Sequence, residues 1–204
     1  MAELTLTTFL TLDGVMQAPG TPDEDKSGDF PYGGWLVPHF DEDMGRTMGE
    51  IFSKVDAFLL GRTTYDIFSA YWPRVTDPND LIASKLNSLP KFVASHTTSA
   101  FTWNQSSHVP DVIKGVADLK KRFSREVQVH GSCGLAQTLI ENDLIDEYRL
   151  MTFPVVLGTG KRLFGAGVPP AMLKLVSSTT TSKGVVVSVY RRGEAFKTGS
   201  FALD

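Results

Sequence analysis

The chain has 204 residues, a length that suits one domain with a sizeable core rather than two. Hydrophobic residues make up 42% and charged residues 21%, the balance of an ordinary globular domain. The formal net charge of -3 and a pI near 5.8 argue against a nucleic-acid partner, and the longest basic cluster is Lys120-Lys121-Arg122. A single cysteine, Cys133, excludes an intrachain disulfide. The start, Met1 to Leu6, lacks the basic residues and long apolar run of a secretory signal. No run of about 18 apolar residues is available to span a bilayer. No membrane partner is expected, and the cytoplasm is the expected location.

In chain order, Leu4 to Leu12 alternates threonine with leucine or phenylalanine, which predicts a strand, and Asp13-Gly14 supplies turn chemistry at its end. A long loop follows from residue 17 to 38, rich in proline, glycine and acids. It has two readings: a lid that lays Phe30, Tyr32 and Trp35 over a planar ligand, or a loop packed permanently on the core or on a partner subunit. Phe40 to Lys54 has helical spacing. Asp41-Glu42-Asp43 at its start can supply a general acid, or can simply complement the helix dipole. Val55 to Leu60 is the apolar run of a buried strand, Thr64 to Tyr71 a helix stopped by Trp72-Pro73, and Asp80 to Ser88 another helix. Lys91 to Ser95 reads as a second buried strand and Phe101-Thr102-Trp103 as a third, shorter one. Asp111 to Phe123 is predicted helical; its last residues include the basic triplet, where cations complement the dipole. Val127 to His130 is a strand, Gly131 to Gly134 leads into a helix through Glu141, and Tyr148 to Phe153 is a strand closed by Pro154. Val176 to Thr181 and Val185 to Tyr190 flank Ser182-Lys183-Gly184, a hairpin signal. Alternating strands and helices predict one α/β domain over residues 1–204, with a mixed, mostly parallel sheet and a C-terminal antiparallel hairpin.

Two strand-turn-helix junctions carry the chemistry, because ligands gather beyond the carboxyl ends of parallel strands and helix N-termini suit phosphate. The first is Gly61-Arg62-Thr63-Thr64. Gly61 permits a tight turn, Arg62 offers a fork of donors for a phosphate monoester, and the threonines can bond phosphate. The other reading is a threonine-capped helix with Arg62 as a surface charge. The second junction is Gly131-Ser132-Cys133-Gly134-Leu135, whose small residues and amides suit a pyrophosphate, or form a tight structural turn. Ser95-His96-Thr97-Thr98 is a polar cluster that can bind a ribose phosphate, or an ordinary turn. Cys133 reads as a packing residue rather than a nucleophile. The four histidines, His39, His96, His108 and His130, have no metal-ligand spacing, so no metal is expected.

These junctions belong to a wider pattern. Thr11-Leu12-Asp13-Gly14-Val15, Leu60 to Tyr65, Val129-His130-Gly131-Ser132, Leu144 to Leu150 and Pro154 to Phe164 occur in that order. With them the chain resembles the dihydrofolate-reductase-like superfamily, in the branch of the reductase domain of the bifunctional riboflavin-biosynthesis deaminase-reductase. The resemblance implies a three-layer fold with a central sheet of eight strands and flanking helices. It also implies an NADPH-dependent reductase with a small heterocyclic or carbonyl substrate; a non-catalytic NADP(H)-binding or sensor protein is the alternative. In that reading Arg62, Thr63 and Thr64, after Gly61, face the cofactor phosphates. Ser95, His96 and Thr97 lie near the adenosine, and Gly131, Ser132, Cys133, Gly134 and Leu135 hold the pyrophosphate. Asp13 and Met16 border the nicotinamide, and Trp35 and Phe153 fall on the substrate side. A homodimer is implied as well. No single carboxylate matches the acid with which dihydrofolate reductases bind their pterin, and no catalytic residue is assigned.

Overall fold

The structure is a computed structural model and describes residues 1–97 and 100–201. Thr98, the last residue of the polar cluster, lies outside the described residues. The threonine-rich start forms β1 (Glu3–Thr11), and the apolar runs form β2 (Val55–Gly61), β3 (Lys91–Ala94), β5 (Glu126–His130) and β6 (Glu147–Phe153). An edge strand, β4 (Ser106–Val109), and the hairpin strands β7 (Leu173–Thr180) and β8 (Val186–Arg192) complete one sheet. Its order is β4-β3-β2-β5-β1-β6-β8-β7. The pairs from β4 to β6 are parallel, and β8 joins β6 and β7 antiparallel.

Helices cover both faces: α1 (Glu42–Ser53), α2 (Arg62–Tyr71), α3 (Leu81–Ser88), α4 (Val112–Arg122) and α5 (Cys133–Glu141). On one face Leu4, Leu6, Val127 and Val129 meet Val116 and Leu119 of α4 and Leu135, Ala136 and Leu139 of α5. On the other, Phe58 and Leu60 meet Met44, Met48, Ile51 and Phe52 of α1, Tyr65 of α2 and Leu86 of α3. Both sides of the parallel sheet are thereby removed from water, which is why its strands read as apolar runs. The expected three-layer α/β fold is the one found.

One expected strand is displaced. Residues 101–103 do not pair into the sheet; β4 begins at Ser106. Trp103 is committed to covering Lys91, whose ammonium lies 4.4 Å from the indole centroid and donates to the Leu86 carbonyl at 2.7 Å. The Trp103 amide and indole N–H donate to Tyr65 Oη (3.0 Å) and Asn87 Oδ1 (3.1 Å). These tertiary partners override the β propensity of the segment.

A row of polar side chains crosses the α1 face of the sheet. Arg149 donates to Glu147 Oε1 at 2.8 Å and to both oxygens of Glu126 at 2.9 and 2.7 Å. Arg191 continues the row from Glu147 to Glu3, at 2.9 Å each. In the other direction Gln128 Nε2 donates to Glu126 Oε2 at 2.7 Å, and His130 Nε2 meets Gln128 Oε1 at 3.0 Å. Arg149 is only 4% exposed, so it is the counter-charge that makes two buried carboxylates tolerable. Burial alone would raise the Glu126 carboxyl; Arg149 holds it below its ordinary value.

Removing one partner of a buried charge cluster costs about 3–5 kcal/mol, so Arg149→Met is expected to destabilise the domain by that amount at pH 7. The pH dependence follows from the sign of the shifts. In the wild type a depressed Glu126 contributes stability above its ordinary value of 4.5, lost as pH falls below it. In the variant the buried Glu126 carboxyl loses the counter-charge that holds it down and rises, so its stability increases as pH falls from 7 toward 5. Urea unfolding at the two pH values checks this; a gap that stays constant or widens contradicts it.

Candidate active site

The carboxyl ends of β1, β2, β3 and β5 open on one groove of about 1450 Å³. β2 and β5 are neighbours, yet α2 packs with α1 on one face and α5 with α4 on the other. Adjacent strands whose helices diverge leave a crevice at the switch point, the usual ligand position in an open α/β sheet. A serine bridges it. The Gly61 amide donates to Ser132 Oγ at 3.0 Å, and that hydroxyl donates to the His130 carbonyl at 3.0 Å. A Cβ on Gly61 would stand 3.3 Å from the Ser132 Cβ and 3.5 Å from the Leu135 Cβ, so glycine sets this close approach. Gly131 and Ser132 both have left-handed backbone, φ 53° and 58°, which turns the chain from β5 into α5.

The helix starts fall into two groups. Asp41 caps α1 through the Met44 amide, Asp80 caps α3 through Ala83 and Asp111 caps α4 through Lys114, at 2.9, 2.9 and 3.0 Å. Among the described residues no side chain caps α2 or α5. The first-turn amides of these two helices, which open on the groove, have no intrahelical acceptor and lie at the positive dipole end. Thr63 and Thr64 sit inside the first turn of α2 and line the groove without capping it. Arg62 lines the groove too, with its Nε on Asp66 (2.9 and 2.8 Å) and its guanidinium 5.7 Å from the Phe101 centroid.

Most of the expected cofactor residues meet here: Met16, Gly61, Arg62, Thr63, Thr64, Ser95, His96 and the run from Gly131 to Leu135 all line the groove. Leu135 also buries its side chain in the core, at 7% exposure, so its amide is its polar contribution. The Cys133 thiol is pushed up by burial and lies 3.5 Å from the Arg162 carbonyl, which fits packing rather than nucleophilic chemistry.

Four expected residues stand elsewhere. Thr97 does not line the groove; its amide donates to Ser95 Oγ at 3.2 Å, closing the turn. Asp13 does not line the groove, and its carboxylate is already saturated. It accepts from Thr11 Oγ1 (2.6 Å), the Leu157 and Gly158 amides (3.2 and 2.8 Å) and Arg162 (3.2 Å). Trp35 and Phe153 are buried against each other, ring centroids 5.4 Å apart, and neither lines the groove. The Trp35 indole donates to the Gln17 carbonyl at 2.8 Å and Phe30 is 5% exposed, so these two aromatics are core rather than a cover, while Tyr32 is 48% exposed and Leu36 lines the groove. The first half, from Gln17 to Asp25, does border the groove, with Lys161 paired to Asp25 at 2.6 Å. The acids before α1 serve as cap and clasp: Asp41 also accepts from Ser182 Oγ (2.9 Å) and the Lys183 amide (3.0 Å), and lines no part of the groove.

Sequence reasoning missed the α1 side of the groove. There the lining is Thr7, Phe9, Leu36, Phe40, Met48, Phe52 and His130. The His130 ring stacks on Phe52 with centroids 4.7 Å apart. Burial, with the Arg149 charge nearby, pulls its pKa down to about 3, so the imidazole is neutral. The available signal was the pairing of a polar alternation on β1 with the polar alternation Glu126, Gln128, His130 on β5, which places polar side chains on one inward face. Among the described residues no three His, Cys, Asp or Glu side chains group to hold a metal ion, and no helix is long and apolar enough to cross a membrane.

Fold and groove define a dihydrofolate-reductase-like domain of the reductase type. The RibD C-terminal domain family matches residues 2–187, and the chain belongs to that family. It is 34% identical to YyaP of Bacillus subtilis over 184 residues, 89% of this chain and 90% of that protein. Its fold is similar to that of a Shewanella sp. PV-4 protein assigned to riboflavin biosynthesis, with a TM-score of 0.71 at 24% identity over 95% of this chain and 100% of the other. It is also similar to the diaminohydroxyphosphoribosylaminopyrimidine deaminase/5-amino-6-(5-phosphoribosylamino)uracil reductase of Thermotoga maritima. There the TM-score is 0.62 at 15% identity, over 94% of this chain and 57% of the longer one. Family membership makes this a reductase-like domain.

The Asp13 clasp yields a test. Hydrogen bonds from Thr11, Leu157, Gly158 and Arg162 hold its carboxyl well below the usual range, against burial. Asp13→Ala is expected to cost about 2 kcal/mol at pH 7, the scale of lost hydrogen bonds to a charged group. A depressed carboxyl contributes stability above its ordinary 3.8 and loses it as pH falls below that value, so the gap to wild type narrows under acid. Unfolding curves at pH 7 and pH 3.5 measure both; an unchanged wild-type advantage at the lower pH contradicts the clasp.

Proposed function

We propose that this protein is an NADPH-dependent reductase that passes hydride to a small heterocyclic or carbonyl substrate on the α1 side of the groove. The observation that carries the reading is the pair of uncapped helix starts, α2 and α5, opening on one switch-point groove while the other α-helices are capped by aspartate. The residues present fit the cofactor. A Cβ on Gly131 would meet nothing within 4 Å, so the turn leaves open space for a pyrophosphate beside the Cys133, Gly134 and Leu135 amides. Arg62, Thr63 and Thr64 suit the 2′-phosphate, and Ser95 and His96 the adenosine side.

When bound, NADPH supplies the hydride. The chain's own part is to position and to exclude water. Met16, Phe9, Phe40 and Phe52 furnish an apolar surround in which polar contacts strengthen. A protein that only senses the cofactor has no need of that second chamber, which favours catalysis. His130, neutral and committed through Nε2 to Gln128, is not the proton donor. Of the groove carboxyls, burial pushes Glu24 up, and its Oε2 is fixed by the Gly20 and Thr21 amides at 2.6 and 3.3 Å. Glu24 is therefore the carboxyl best suited to hold the proton that accompanies the hydride. The homodimer and the cytoplasmic location remain part of this reading; Leu175 and Val176 on the edge strand β7 offer apolar surface to a second copy.

Calorimetric titration of NADPH and NADH tests the assignment. The wild type is expected to prefer NADPH, and Arg62→Ala to lose about tenfold or more in NADPH affinity with little change for NADH, the loss of one charge-assisted contact. Gly131→Val is expected to fold, at a backbone cost of about 1–2 kcal/mol for left-handed geometry, and to bind neither cofactor well. Equal wild-type affinities overturn the 2′-phosphate assignment, and full affinity in folded Gly131→Val overturns the pyrophosphate seat.

A further inference from the structure

We propose that Phe101 is a positioning residue for cofactor selectivity: its ring, braced by Tyr65, Trp103 and the buried Lys91, holds the Arg62 guanidinium in the orientation that receives a 2′-phosphate. The inference rests on the reductase reading and goes further by naming what, besides Arg62 itself, distinguishes NADPH from NADH.

The Arg62 guanidinium is confined from two sides. Its Nε donates to both oxygens of Asp66, one helical turn away, at 2.9 and 2.8 Å. Its Cζ lies over the Phe101 ring, 5.7 Å from the centroid. The Asp66 side chain is 51% exposed, and an exposed ion pair within one helix is a weak restraint. The ring is the stiffer wall, because it is anchored at the other end of its segment.

That anchor runs inward. Tyr65 meets the Phe101 ring edge-on, with centroids 5.1 Å apart, and is itself 3% exposed. The Tyr65 hydroxyl accepts from the Trp103 amide at 3.0 Å, and the Trp103 indole covers the Lys91 ammonium. Lys91 is fully buried. Among the described residues its ammonium meets no carboxylate, only the Leu86 carbonyl at 2.7 Å and the indole at 4.4 Å. A buried cation so sparsely paired is a cost that an apolar side chain would avoid, and here it pins the segment that carries Phe101. Phe101 also faces the His108 ring at 6.1 Å, and His108 Nε2 meets the Ser95 carbonyl at 2.8 Å. One ring thus stands between Arg62 and the turn at Ser95, the two arms of the adenosine end. Residues 101–103 form an aromatic bracket behind that end rather than a strand.

Phe101 does not line the groove, so it acts through Arg62. A long cationic side chain that is already held in place loses less freedom when its anion arrives, which raises affinity without adding a contact to the ligand. The gain exists only for a ligand that pairs with Arg62. NADH lacks the 2′-phosphate, so the bracket leaves its affinity untouched.

Adenosine 2′,5′-bisphosphate and adenosine 5′-monophosphate are a matched probe pair, differing only in the 2′-phosphate, and are titrated calorimetrically onto the full chain. The wild type is expected to prefer the bisphosphate. Phe101→Leu and Phe101→Met, both without a ring, are expected to lower that preference about two- to fivefold, the worth of an exposed cation–π contact, with monophosphate affinity unchanged. Phe101→Tyr keeps a ring and is expected to keep the preference. In an Arg62→Ala background Phe101→Leu is expected to change neither affinity, since its partner is gone. In the wild type the Arg62 side-chain protons are expected upfield of their ordinary NMR positions, as protons over a ring face are. Ordinary positions, an undiminished preference in a ringless variant, equal losses for both nucleotides, loss of the preference in Phe101→Tyr, or the same loss without Arg62 overturns the proposal while leaving the reductase reading standing. Equal wild-type affinities for the two nucleotides strike the 2′-phosphate assignment on which the proposal rests.

Discussion

Two neighbouring parallel strands, β2 and β5, send their helices to opposite faces of the sheet, and the Ser132 hydroxyl ties their ends together. Neither helix can cover the strand ends at such a point, so the crevice is a consequence of topology rather than of any one side chain. The bridge has a backbone cost, since Ser132 adopts left-handed geometry that a residue with a Cβ ordinarily avoids. Strain of this kind persists where the surroundings fix it, and here the hydroxyl satisfies the Gly61 amide and the His130 carbonyl at once. The same turn sets the first amides of α5 beside those of α2. Bridge, strain and groove are one arrangement.

The polar row on the α1 face answers a different need. Parallel strands buried on both sides are normally apolar, and burying Glu126, Glu147 and Arg149 brings desolvation that an apolar set would avoid. The row joins β8, β6 and β5 through side chains, and a one-residue slip of any of these strands would point a charge into the opposite core. It also ends on His130. The carboxylate of Glu126 orients Gln128, Gln128 orients the imidazole, and the ring arrives at the groove in a single tautomer. Two hydrogen bonds, Glu126 to Gln128 and Gln128 to His130, link structural charge to the site.

The elements that local chemistry determines were legible in the sequence. Asp41, Asp80 and Asp111 mark helix starts because each caps its own helix, and the threonine alternation marks β1 because its neighbours on both sides need a pleated strand. The two junctions were legible because glycine and small polar residues gather at the turns. What failed was decided by distant partners. Phe101 to Trp103 has strand-like composition, but Trp103 is held by Lys91, Asn87 and Tyr65. Trp35 looks like a cover for a ligand, and it becomes core because Phe153 and the Gln17 carbonyl receive it. Asp13 sits beside the groove in sequence, but a loop some 145 residues later claims its carboxylate. Thr7 and His130 gave no local motif at all; they meet only through the register of β1 with β5.

The central claim is that the uncapped starts of α2 and α5 act as one anion seat for a dinucleotide. Amide hydrogen exchange with and without saturating NADPH measures this at the backbone groups concerned. The account predicts slower exchange in the first-turn amides of α2 and in residues 133–135 of α5 together, with the Asp-capped start of α4 unchanged. Protection confined to one of the two segments, or absent from both while NADPH is bound, would contradict it.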